Sequence, residues 1–89
     1  MKDAYRVLLH KEALKDYKRQ VGETRARLEK AFDHLSQTPY QGAAIKRLSG
    51  ELSHLFRYRV GELRIIYEVH EDLKVVRVKA IGRRGDVYK

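Results

Sequence analysis

Residues 55–84, LFRYRVGELRIIYEVHEDLKVVRVKAIGRR, constrain the fold more than any other stretch. They read as three consecutive strands with two tight connections. Gly61-Glu62 separates the first two runs, and Glu71-Asp72 separates the second and third. β-branched and aromatic residues fill the runs, and turn formers fill the breaks. Gly61 supplies the positive φ that a two-residue hairpin turn demands.

Two-residue loops specify a register. Val60 then faces Leu63, Arg59 faces Arg64, Tyr58 faces Ile65 and Arg57 faces Ile66. In the second hairpin Tyr67 faces Val76, Ile66 faces Arg77, Ile65 faces Val78 and Arg64 faces Lys79. Side chains alternate across a sheet. One face therefore collects Phe56, Tyr58, Val60, Leu63, Ile65, Tyr67, Val76, Val78 and Ala80, a hydrophobic core face. The other collects Arg57, Arg59, Arg64, Ile66, Glu68, Arg77 and Lys79.

On this register Arg59, Arg64 and Lys79 form a row across three strands. Like charges directly opposite destabilise a sheet by roughly 0.2–1 kcal/mol per pair. The fold gains nothing from such a row. A single exposed Arg57 or Lys79 is ordinary solvated surface, but three cations in register point to a polyanion that neutralises them.

Composition agrees. Twenty Lys and Arg stand against 12 Asp and Glu, a net charge of +8. That balance favours nucleic acid, an acidic protein or a membrane surface. The excess is spread along the chain: residues 1–40 carry nine basic and six acidic groups, and residues 55–89 nine and five. Only the face argument locates a site. An 89-residue chain is expected to form one domain, 1–89, with room for one sheet and one helix pair. There is no cysteine, so there is no disulfide, thiolate nucleophile or cysteine-based metal site. No apolar run approaches the length of a signal peptide or membrane span, so a cytoplasmic protein made without a leader, and no membrane partner, is expected.

Ahead of the strands, residues 4–9 read as a first strand with Tyr5, Val7 and Leu9 on one face. Residues 11–20 read as a helix with Leu14, Tyr17 and Val21 at helical spacing. Gly22 breaks the pattern. A second helix is expected from about Glu23 to Ser36, with Leu28, Ala31, Phe32 and Leu35 as its apolar stripe. Thr38-Pro39 ends it. Residues 38–54 form a connector with a short extended piece around Ile45–Leu48, which brings Lys46 and Arg47 near the strands. The order β-α-α-β-β-β gives an α+β fold: an antiparallel sheet with a helical hairpin on its apolar face, leaving the basic face open.

The chemistry is narrow. His10, His34, His54 and His70 have no metal-ligand spacing, so each reads as a surface or loop residue and neither metal nor cofactor is expected. No phosphate loop, nucleophile elbow or carboxylate pair occurs. Glu68 is the one acid on the basic face; it reads as a base or, more commonly, as a salt-bridge partner. The tail GRRGDVYK places Arg83 and Arg84 at the end of the last strand and Tyr88 beyond it. A late tyrosine packs on its own domain or offers a stacking surface for a base.

The chain resembles the RelE/ParE toxin superfamily. The residues that carry the resemblance are Leu48 and Gly50; Arg57 and Arg59; Gly61, Arg64, Ile66 and Tyr67; Gly82, Arg83 and Arg84; and Tyr88. It covers essentially the whole chain, and the element order agrees. The resemblance implies a RelE-like fold and a toxin of a toxin–antitoxin pair. In the RelE branch it implies a ribosome-dependent endonuclease that cuts mRNA in the A site, using the 2′-hydroxyl as nucleophile without a metal. Arg64 and Arg84 would then stabilise the phosphate transition state, and Tyr88 would position or stack on the mRNA. Arg57 and Arg59 fall where some members carry two lysines. Lys46, Arg47, Arg77, Lys79 and Arg83 would contact RNA. The implied partners are a cognate acidic antitoxin, the ribosome and mRNA.

Two departures matter. Arginine stays protonated, so Arg57 and Arg59 are not ordinary general bases; they clamp phosphate instead. Proton transfer is then left to Tyr88, Glu68 or Lys46, or catalysis is mainly electrostatic. Ser49 stands where members often place a basic residue. Two other functions fit the open basic face: a ParE-like toxin directed at DNA gyrase, and a nucleic-acid-binding module without catalysis. Joint retention of Arg64, Arg84 and Tyr88 favours the nuclease.

Overall fold

The computed structural model describes residues 4–83. Strand β1 (Arg6–Leu9) leads into helix α1 (Lys11–Arg19) and helix α2 (Gly22–Gln37). Strand β2 (Ile45–Arg47) and a 3-10 turn at Gly50–Leu52 follow. Strands β3 (Phe56–Val60), β4 (Leu63–His70) and β5 (Val75–Arg83) complete the fold. The sheet order is β1-β5-β4-β3-β2.

The connector's short extended piece is therefore a true fifth strand, paired antiparallel with β3 at one edge. β1 forms the other edge and runs parallel to β5, so the sheet is mixed. Parallel neighbours need a long connection, and here most of the chain lies between them. The two helices carry the chain across one face, from the β1 edge to the β2 edge.

That face is the core. Leu28, Ala31 and Leu35 of α2 meet Val60, Leu63, Ile65, Tyr67, Val76, Val78 and Ile81. The expected α2 stripe is confirmed. The α1 stripe is corrected: Leu14 is 40% and Val21 74% exposed, while Ala13 is fully buried. Ala13 and Tyr17, one turn apart, face inward. The small Ala13 lets α1 lie close on β5, and Tyr17 meets Phe32 with ring centroids 5.8 Å apart.

The β3–β4 register is the expected one, from Phe56 opposite Tyr67 to Val60 opposite Leu63. Gly61 takes φ 59° at the first central position of the turn, and Glu62 has an ordinary negative φ. That is the type II′ arrangement, whose twist matches the flanking strands.

The β4–β5 register differs. Its loop has four residues, Glu71–Lys74, closed by Leu73 N–H donating to the His70 carbonyl (3.1 Å). Lys74 takes the left-handed φ of 55° although it is not glycine. Its ammonium sits 2.6 Å from the Glu71 carboxylate, tying the two ends of the loop together. Tyr67 consequently faces Val78, not Val76. A bulge then shifts the ladder: Tyr67 pairs with Val78 and Ile66 with Ala80, leaving Lys79 as the extra residue. A one-residue insertion exchanges the faces beyond it. Ile81, 3% exposed, therefore takes the core position expected for Ala80.

Candidate functional site

The face away from the helices carries Lys46 from β2, Arg57 and Arg59 from β3, Arg64, Ile66 and Glu68 from β4, and Arg77 and Ala80 from β5. Lys46 stands opposite Arg57, and Arg59 opposite Arg64. The expected row is corrected at its third member: Arg64 faces Gly82, because the bulge removes Lys79 from the ladder. The cluster gains Lys46 instead, delivered by β2.

Among the described residues, none of these four cations is in an ion pair. Arg57 is the most constrained. Its Nε is buried and has no hydrogen-bond partner among the described residues. Burial first, then the charges of Arg59 and Arg64, push its guanidinium below the usual arginine value. A buried donor without an acceptor is costly, roughly 1–3 kcal/mol, and an arriving anion relieves that cost. Ala43, Ala44, Arg57, Arg59 and Gly61 line an open groove of about 410 Å³ here. Arg59 N–H donates to the Ala44 carbonyl at 3.0 Å and ties the connector to β3.

Other expected site residues lie elsewhere. Arg77 faces Glu68 across β4–β5, and Lys79 also bears on that carboxylate. Burial pushes Glu68 up, but the His70 hydrogen bond and the Lys79, His70 and Arg77 charges outweigh it and hold it below the usual range. The Glu68–His70 contact is 2.7 Å. Glu68 is thus tied to its own strand by His70 and sits in the field of Arg77 and Lys79.

Arg47 pairs with Phe56 on the helix side of the sheet. Its guanidinium lies 5.6 Å from the Phe56 ring centroid, and its Nε donates to the Ser53 carbonyl at 2.7 Å. Arg83 pairs with Leu63, a core-face position, and bonds Glu62 at 2.6 Å. Neither joins the Arg57 cluster. Arg84 and Tyr88 lie outside the described residues.

Sequence reasoning missed that the centre of this face is apolar. Ile66 is 4% exposed and Leu55, just before β3, 1%. The consecutive Ile65-Ile66 was the available signal, since strict alternation marks a half-solvated strand and doubled apolar residues mark burial on both faces. It also missed a carboxylate hub at the opposite end of β4. Glu71 accepts from the Tyr5 and Tyr40 hydroxyls at 2.9 and 2.7 Å and from Lys74. Those bonds, Lys74 first, hold its carboxyl down at about 2. Among the described residues, no three His, Asp or Glu side chains gather as a metal site, and no helix is long and apolar enough to cross a membrane.

A family model described as the ParE toxin of type II toxin–antitoxin systems, parDE, matches residues 7–88. This chain belongs to the RelE/ParE toxin superfamily. Its relative RelE1 of Methanocaldococcus jannaschii is 30% identical over 87 residues, 96% of each chain. The toxin also superposes on solved relatives. One is a chain of the archaeal RelE–RelB complex from Pyrococcus horikoshii: TM-score 0.78, 28% identity, 92% of this chain and 97% of that one. Another belongs to the RelBE2 toxin–antitoxin complex of Mycobacterium tuberculosis: TM-score 0.77, 27% identity, 93% and 94% covered. The expected RelE-like fold is thereby confirmed.

Proposed function

We propose that this toxin is a ribosome-dependent endoribonuclease that cuts mRNA in the A site. The observation that carries the reading is the cluster of Arg57, Arg59 and Arg64, which carries no carboxylate partner among the described residues and holds one buried, unpartnered Nε. Such a cluster suits a phosphodiester. In the reaction the 2′-hydroxyl gives up its proton as its oxygen attacks phosphorus, and the bond to the 5′-oxygen breaks as that oxygen takes up a proton. The products are a 2′,3′-cyclic phosphate and a 5′-hydroxyl end. Negative charge builds on the phosphoryl oxygens in the transition state, where preorganised guanidinium groups stabilise it. Arg64 carries that role, Arg57 and Arg59 clamp the phosphate, and Lys46 extends the clamp. The family resemblance adds Arg84 as a second transition-state cation and Tyr88 as the residue that orients or stacks on the mRNA. Arg77, Lys79, Arg47 and Arg83 then serve at most the flanking RNA.

The partner that silences it is an acidic antitoxin, as the relatives solved with RelB-type chains suggest. The compartment is the cytoplasm, where ribosomes are. The ParE name of the family model favours a second reading, inhibition of DNA gyrase. A purified translation system with primer extension, run beside a gyrase supercoiling assay, separates the two. Cuts within A-site codons support the nuclease; supercoiling inhibition without cuts overturns it.

A further inference from the structure

We propose that His34 is a positioning residue for the basic groove: from the opposite side of the sheet it seats the connector that forms the groove's second wall. Its consequence for RNA rests on the ribonuclease reading; the seating itself does not.

His34 lies in the last turn of α2. Its Nε2 is 2.8 Å from the Gln41 carbonyl oxygen. A carbonyl only accepts, so Nε2 carries the hydrogen. In the neutral ring Nδ1 is then the acceptor, and the Tyr58 hydroxyl donates to it at 3.0 Å. The two rings meet edge to face, with centroids 5.3 Å apart and planes at 90°. One imidazole therefore links α2, the middle of β3 and the connector.

The next residue shows how closely the chain lies on that ring. Gly42 has φ +149°, and a Cβ there would sit 2.7 Å from His34 Cε1. From Gly42 the path to the groove is short. Its carbonyl accepts from Ile45 N–H at 3.1 Å, where β2 begins, and the Ala44 carbonyl accepts from Arg59 N–H at 3.0 Å. Ala43 and Ala44 line the groove with Arg57 and Arg59. Lys46 then stands opposite Arg57. β2 has only three residues and lies at the sheet edge, so its ladder alone anchors it weakly. His34 thus determines where Lys46 and the two alanines stand against the Arg57–Arg59 pair.

The experiment follows the Arg59 amide by hydrogen exchange, with Ile65 as internal control, and the affinity for a short single-stranded RNA by fluorescence anisotropy. His34→Ala should accelerate Arg59 exchange about tenfold, the cost of freeing one bonded carbonyl, and leave Ile65 unchanged. RNA affinity should fall by about tenfold, since small displacements of a positioning wall are felt at the ligand. His34→Gln, which keeps a donor toward Gln41, should recover most of both. Gly42→Ala should reproduce the alanine effect by lifting the connector off an intact ring. Nitrogen shifts of wild-type His34 should report the Nε2–H tautomer. An Nδ1–H ring, or an Arg59 amide and RNA affinity both indifferent to His34→Ala, overturns the proposal. So does equal acceleration at Ile65 with no rescue by glutamine, which would make His34 a general stabiliser. If wild type cuts no mRNA on programmed ribosomes, the ribonuclease reading fails, and the Arg59 amide still decides the seating.

Discussion

Arg59 of β3 stands directly opposite Arg64 of β4, and among the described residues neither has a carboxylate partner. Opposed like charges cost a sheet roughly 0.2–1 kcal/mol. The pair persists beside Arg57, whose cation is already disfavoured by burial and by these same neighbours. On the ribonuclease reading, an arriving phosphate relieves that repulsion, so the arrangement favours the bound complex over the free protein.

Arg64→Ala separates function from folding. Removal leaves no core cavity, because Arg64 sits on the basic face. Cleavage should fall by about 10²–10³-fold, the usual effect of losing one transition-state charge stabiliser. Thermal stability should hold or rise slightly. Single-turnover cleavage on programmed ribosomes and a melting curve decide it; a marked drop in melting temperature would make Arg64 structural.

The bulge at Lys79 yields a prediction opposite to strict alternation. Alternation from Val76 puts Ala80 in the core, whereas the ladder puts Ile81 there. Ile81→Ala should cost about 2–5 kcal/mol, as for other large-to-small core changes. Ala80→Ser, on the half-covered outer face, should cost far less. Urea denaturation of both variants tests the register without a further structure.

These residues also show where sequence reading stops. The β3–β4 hairpin was legible because Gly61 marks a turn whose positive φ only glycine takes freely, and its two-residue length then specifies every pairing to Phe56. The β4–β5 loop carries no such mark, since its left-handed residue is Lys74, held there by its bond to Glu71. Nothing in VVRVKAIGR announces that Lys79 is skipped. The basic cluster was still found, because Arg57, Arg59 and Arg64 lie on the legible hairpin. Lys46 was expected near the strands from the extended piece around Ile45–Leu48, but a three-residue strand is too short for periodicity to reveal that it stands opposite Arg57. The α1 stripe failed for a related reason: Ala13 is a weak hydrophobic signal beside Leu14, yet its size is what lets the helix pack.

The Glu71 hub predicts an acid dependence with a definite sign. Its folded carboxyl titrates at about 2, below the ordinary carboxylate value, through bonds from Lys74, Tyr40 and Tyr5. A depressed pKa gives stability that is fully present above the unfolded value and is lost as pH falls toward the folded one. Wild type should therefore lose stability between about pH 4.5 and 2. Glu71→Gln should melt lower than wild type at pH 7, with the gap closing as pH approaches 2. Melting temperatures of both proteins across that range are the measurement, and a constant gap would rule out the ionised hub as its source.

The last prediction concerns proton transfer. Arg57 remains a cation at any working pH, so position 57 contributes charge and no titration in this chain. Arg57→Lys changes that. The new ammonium enters a place where burial, Arg59 and Arg64 already push a cation's pKa down, and lysine responds readily to such pressure. The variant also loses the planar fork that holds two phosphoryl oxygens at once. Two effects should therefore appear together. At neutral pH cleavage should fall by about tenfold, from the lost second hydrogen bond. On the alkaline side the variant's rate should fall relative to wild type as the lysine gives up its proton, a loss that the arginine does not undergo. Single-turnover rates of both proteins across the alkaline range make the comparison. Parallel pH profiles would mean that position 57 does not touch the reacting phosphate, and the clamp would then consist of Arg59, Arg64 and Lys46.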